Sequence, residues 1–179
     1  VSMVCNNALN RSIKEDNLTD PGKILDKTRE IITEEFSAGL GDDGDYVRDG
    51  MDIALCSITG NKLKYSGANN ALWIVREGEV LVIKANKQPI GRFGIEEPFT
   101  THLFELQKGD VIYIFSDGYV DQFGGDKGKK FMAKAFKNLI LTIQDQAMEQ
   151  QKESLLAAFE NWKGDLEQLD DVCVMGLRI

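Results

Sequence analysis

Apolar residues recur with helical spacing over the first forty positions, and from Met51 they recur every second residue, as along a strand. In "VSMVCNNALNRSIKE" the apolar positions Val1, Val4, Ala8 and Leu9 share one helical face, and no Ser, Thr, Asp or Asn cap precedes them. That helix is already under way at the first residue, so the expectation is a piece of a longer protein. A second helix opens at "LTDPGKILDKTREIITEEFSAGL". Asp20 supplies a cap, Pro21 suits the first helical position, and Ile24, Leu25, Thr28, Ile31, Ile32 and Phe36 line one face. Gly39 and Gly41 end it.

The runs "MDIALCSI", "KLKYSGA", "ALWIVREG" and "EVLVIKA" follow, separated by Gly60-Asn61, Ala68-Asn69 and Gly78. Parallel strands need long crossovers, so connections this short read as antiparallel hairpins. After the turn-rich "NKQPIGRFGIEEP" come "FTTHLFEL", a Lys108-Gly109 turn and "DVIYIFS", which read as a further hairpin. Helical spacing returns over residues 127–142 and 146–162. Phe131, Ala135, Phe136 and Leu139 share one face of the first, and Leu155, Leu156, Phe159 and Trp162 one face of the second. "DVCVMGLRI" is the last strand. Helices grouped before and between hairpins predict an α+β fold rather than a doubly wound one. No repeat, low-complexity tract or linker interrupts the pattern, and residues 1–179 read as one domain.

Composition narrows the partners. A hydrophobic content of 42% over 179 residues suits one packed domain. The net charge of -8 weighs against nucleic acid and anionic membrane, which repel such a chain at range. No apolar run approaches the roughly 20 residues that cross a bilayer, and the first residues lack a secretory pattern. The expected compartment is the cytoplasm, with no membrane insertion in this segment. Cys5, Cys56 and Cys173 sit singly among apolar neighbours without a C-x-x-C pair, and read as buried free thiols rather than a disulfide framework or zinc site.

The chemistry concentrates at strand ends. In "VIYIFSDGYVDQFGG" Asp117 stands where an apolar strand stops, and Gly118 lets the backbone turn there. Asp170 and Asp171 stand in the same relation to the start of the final strand. If the two strands are neighbours, these acids gather at one rim. Gathered carboxylates repel unless a cation or proton intervenes, and an all-oxygen donor set suits Mg²⁺ or Mn²⁺ rather than zinc or copper. The residues alone also fit a plainer reading, with Asp-Gly as a turn and Asp-Asp as a solvated strand start. The acidic segment "GDDGDYVRDG" reads as a loop and not an EF-hand, because with Asp43 leading the obligatory sixth-place glycine is Arg48.

The series "YSGANNALWIVREGEV", "QPIG", "GDVIYIFSDGYVDQFGG" and "LDDVCVMGLRI" spans nearly the whole chain in order. It resembles the SpoIIE-type, RsbU-like branch of the PPM (type 2C) metal-dependent serine/threonine phosphatases of bacteria. The resemblance implies an antiparallel β-sandwich flanked by helices, and hydrolysis of phosphoserine or phosphothreonine by a water activated between two Mn²⁺ or Mg²⁺ ions. It implies a phosphorylated protein substrate such as an anti-sigma-factor antagonist. It also makes Asp117 of the S-D-G motif and Asp170 of the D-D motif catalytic metal ligands, with Gly118 and Asp171 auxiliary. Asp121 matches no ligand and reads as a cap or turn. The family's upstream Asp and D-x-x-G-H-G motif do not occur here, and "VSMVCNNALNRSIKE" resembles the helix that follows the latter. The expectation is therefore an N-terminally truncated domain that holds one metal ion or none and is inactive alone. Its parent would carry N-terminal sensory or repeat domains.

Other residues carry two readings each. Asn69 is a substrate contact or simply a turn, and Arg92 a phosphate contact or an exposed arginine. Lys127, Lys129, Lys130, Lys134 and Lys137 make one side of the predicted helix basic, either a solvated face or a dock for an acidic protein. His102 reads as a solvent-facing strand residue. Two other functions stay open at this level: a noncatalytic pseudophosphatase of the same fold, and an unrelated antiparallel scaffold whose acids are turns.

Overall fold

The chain is described by a computed structural model over residues 2–38, 50–91 and 97–179. The EF-hand-like segment, the glycines after the second helix and Arg92 lie outside the described residues. Helices α1 (Ser2–Lys14) and α2 (Pro21–Ala38) come first, followed by strands β1 (Ile53–Thr59), β2 (Lys62–Ala68), β3 (Leu72–Arg76), β4 (Glu79–Ile83), β5 (His102–Glu105) and β6 (Val111–Phe115). A single turn α3 (Gly118–Asp121) leads to a small hairpin of β7 (Phe123–Gly124) and β8 (Lys129–Lys130). Helices α4 (Ala133–Ile143) and α5 (Met148–Lys163) precede the last strand, β9 (Val174–Arg178). The class is α+β, as the pattern predicts. The chain divides into two compact units, Val1–Ala71 with Ile83–Leu106, and Leu72–Val82 with Gln107–Ile179.

The first unit packs α1 and α2 with the antiparallel sheet β1-β2-β5. Asp20 caps α2 as its sequence suggests, its Oδ1 accepting the Lys23 N–H at 3.2 Å and the Thr101 hydroxyl at 2.7 Å. Burial acts to raise the Asp20 pKa, but these bonds outweigh it and hold the carboxyl below its ordinary value. Cys5, Ala8, Leu25, Ile31, Ile32, Ala68, Ile90 and Phe99 form the core. His102 is half-buried rather than solvent-facing: it pairs with Tyr65 across the ladder and stacks on its ring at 5.9 Å.

The second unit is built on the antiparallel sheet β4-β3-β6-β9 with α4 and α5. Phe136 of α4 meets Trp73, Phe115 and Tyr119 at ring separations of 5.7, 4.6 and 4.8 Å, in the tilted geometries that aromatic quadrupoles favour. At the foot of β6, Asp110 is buried and takes a two-pronged bond from Arg76 (Nε to Oδ1 2.9 Å, Nη2 to Oδ2 2.7 Å), with the Gln107 N–H at 2.8 Å. Arg178 closes the end of α4, donating to the Gln144 and Gln146 carbonyls.

Three sequence expectations give way here. Gly60-Asn61 and Gly78 do connect paired strands, but Ala68-Asn69 and Lys108-Gly109 do not: β2 and β5 belong to one sheet, β3 and β6 to the other. A turn signal reports that the chain bends, not that the flanking strands pair. The helix expected from residue 127 starts at Ala133, because a glycine-rich hairpin occupies 123–130 and Met132 has φ 75°. Lys127, Lys129 and Lys130 are thus not helical. Finally, the thiols are free but not all buried: Cys5 is buried, Cys56 half-buried and Cys173 exposed. Burial pushes the Cys56 thiol up to about 11, and it raises that of Cys5 as well. The thiolate is the reactive form, so iodoacetamide at pH 8 should label Cys173 first and the other two only after denaturation. Peptide mapping of the labelled chain checks this.

Candidate metal centre

The motif segments meet because β6 and β9 are neighbours. Their antiparallel register ends at Phe115 opposite Val174, so the residues just beyond, Ser116-Asp117-Gly118 and Asp170 to Cys173, face one another. Ser116 joins the two segments. Its N–H donates to the Cys173 carbonyl (3.0 Å), its hydroxyl to the Asp171 carbonyl (2.8 Å), and its oxygen accepts the Cys173 N–H (2.9 Å). One step further, Gly118 lies so close that an added Cβ would stand 2.5 Å from the Asp171 carbonyl oxygen. Glycine is needed there for close approach of two backbones. Gly118→Ala is expected to force the segments apart and cost about 1–3 kcal/mol, read in a urea titration.

Asp117 starts α3 with helical φ and ψ, and its carboxylate makes no capping bond. Asp170 folds back, Oδ1 accepting the Asp171 N–H at 2.7 Å, an Asx-type bond that fixes the carboxylate at the strand entrance. Asp117, Asp170 and Asp171 are all exposed. Asp121 is engaged elsewhere, its N–H on the Asp117 carbonyl (2.9 Å) and its carboxylate on Lys130 Nζ (2.9 Å).

Asn69 lies in the other unit, in the left-handed conformation (φ 58°), with its side-chain amide donated to Asp52 at 2.8 Å. That arrangement serves the bend between β2 and β3. What sequence reasoning missed is Ser116, and the signal was present: a hydroxyl residue directly before Asp-Gly, opposite a strand start. Among the described residues no three His, Cys, Asp or Glu cluster to hold a metal, and no helix is long and apolar enough to cross a membrane.

Residues 1–179 match the family model described as Stage II sporulation protein E (SpoIIE). No curated protein sequence matches significantly. Among solved structures the chain is similar to the SiaA-PP2C domain of Pseudomonas aeruginosa (TM-score 0.87, 24% identity, covering 99% of this chain and 68% of that one). It is similar to the PP2C phosphatase domain, with a regulatory fragment, of SpoIIE from Bacillus subtilis (TM-score 0.70, 16% identity, 98% and 48% covered). A third is the catalytic domain of the serine/threonine protein phosphatase PstP, in complex with two manganese ions (TM-score 0.62, 16% identity, 96% and 79% covered). At these identities the likeness concerns the fold, and the chain spans about half the length of that Bacillus domain-and-fragment chain.

Proposed function

The chain belongs to the SpoIIE family, and from that premise we propose that residues 1–179 serve a metal-dependent protein serine/threonine phosphatase, acting on phosphoserine or phosphothreonine of a cytoplasmic signalling protein. The observation that carries the reading is the junction of the two motifs at the ends of β6 and β9, held by Ser116 and Gly118. Asp117 and Asp170 would hold Mn²⁺ or Mg²⁺, and Asp171 and Gly118 would shape their backbone. A bound ion of this kind lowers the pKa of a water and offsets charge on the phosphoryl oxygens.

The residues fit such an ion in chemistry. Carboxylate oxygens are the donors hard cations take, and Asp117 offers a carboxylate with no capping bond to give up. They do not fill two sites, because each ion takes about six oxygens. On that count the chain alone binds a single ion and needs further ligands from beyond the described residues for turnover. By the family resemblance the substrate would be an anti-sigma-factor antagonist. A noncatalytic, partner-binding module is the second reading, favoured by the lack of a third clustered ligand among the described residues.

Manganese titration of the chain, followed by melting temperature and by release of phosphate from a phosphoserine peptide, tests the proposal. A rise in melting temperature that depends on Asp117 supports it. A melting temperature indifferent to millimolar manganese overturns the metal assignment, and rapid turnover by the chain alone overturns the ligand count.

A further inference from the structure

The β7–β8 hairpin has one face committed to the core and one that is not. On the inner face Gln122 and Gly124 are buried, and Phe131 meets Trp162 and Tyr119 edge-on at 5.4 and 5.2 Å. The Gly125 N–H donates to the Trp162 carbonyl (2.8 Å), and the Trp162 indole N–H to the Gln122 carbonyl (3.1 Å). The register pairs Phe123 with Lys130, and alternate residues of a strand face opposite ways. The outer face therefore carries Phe123 and Lys130. Phe123 is 39% exposed, and Lys130 Nζ lies between the Asp121 carboxylate at 2.9 Å and the Phe123 ring at 6.0 Å. Met132, just beyond, is 57% exposed with φ 75°, a conformation that side chains avoid and that clusters at functional sites.

We propose that this outer face docks the segment of a phosphoprotein substrate that flanks its phosphorylated residue. An apolar side chain would lie across Phe123 and Met132, and an acidic one would take Lys130 or Lys127. The inference rests on the phosphatase reading above. Charge selects the partner: residues 121–134 hold four lysines against two aspartates in a chain of net charge -8. Position selects the role, since Asp121 bonds to the Asp117 carbonyl and places the hairpin about one helical turn, roughly 5 Å, from the candidate ligand. The anchored inner face means that little ordering is left to be done on binding. The exposed Lys130–Asp121 pair is weak enough to exchange for a peptide carboxylate.

Fluorescence anisotropy with four phosphoserine peptides tests this. They differ only beside the phosphoserine, bearing glycine-serine, leucine, glutamate, or leucine with glutamate. The last should bind about tenfold tighter than the first, an advantage that shrinks with salt. In a Phe123→Ser/Lys130→Ser double variant that advantage should fall to within about twofold. Both side chains are exposed, and the peptide series on the unaltered chain reads the preference even if the variant misfolds. Equal binding of all four peptides, or an advantage that survives the double variant, overturns the proposal. If the unaltered chain responds to manganese but shows no peptide preference, the docking surface fails and the phosphatase reading stands. If it shows the preference without any manganese response, the surface stands and the metal assignment fails.

Discussion

Exchanging Asp117 for Asn is expected to erase the chain's manganese response and leave its fold in place. The Asp117 carboxylate is exposed and makes no capping bond, so its loss alone should move stability by no more than about 0.5 kcal/mol. On the proposed assignment the metal would lose a charged ligand. At a metal concentration about a hundredfold above its dissociation constant, binding adds about 2.7 kcal/mol to the folded state. For a chain of this size that corresponds to a rise of roughly 5–10 °C in melting temperature, which Asp117→Asn should abolish. Asp170→Asn should act in the same direction, because the amide oxygen still accepts the Asp171 N–H and keeps the strand entrance in place. Where the remaining ligands are supplied and turnover is measurable, either exchange should lower the rate by about a hundredfold or more. A manganese shift that persists in both variants would place the ion elsewhere.

Asp110→Ala is expected to produce the largest loss of stability, about 3 kcal/mol or roughly 6–12 °C in melting temperature. It leaves the three-quarters-buried Arg76 guanidinium without its two-pronged acceptor and the Gln107 N–H without Oδ2. The bond from Arg76 holds the Asp110 carboxyl below its ordinary value, against the opposing effect of burial. A carboxyl with a lowered folded pKa stabilises fully above its unfolded pKa, near 4, and that contribution fades as pH falls through the folded value. The native chain should therefore lose stability in acid along a limb that Asp110→Ala lacks. Urea titrations of both chains between pH 6 and pH 2.5 should converge at the acid end, and parallel curves would remove the pair from the account of stability.

Local signals were read correctly where one residue decides the outcome. Asp20-Pro21 places the start of α2 because a cap and a fixed φ act within one turn. The two motif segments could be paired from sequence because one follows β6 and the other precedes β9, so neighbouring strands were the one further condition. What sequence did not carry was partner choice between strands. Ala68-Asn69 and Gly60-Asn61 look alike, yet only the second joins a hairpin, because pairing is decided by which face each strand buries. The β7–β8 hairpin was hidden for a related reason. Its lysines and Phe131 fit helical spacing, and the close seating of Gly124 on the Trp162 carbonyl is set by a residue 38 positions away, from Gly124 to Trp162.

The Ser116 hydroxyl bonds to a residue 55 positions further along the chain. Closing so long a loop is entropically costly and comes late in folding. During synthesis, the candidate site therefore cannot exist until the chain through β9 has left the ribosome and β9 has paired with β6. A nascent or prematurely stopped chain carries the S-D-G motif without its counterpart. Ligand chemistry at this rim is thus acquired only once β9 has been made and has paired.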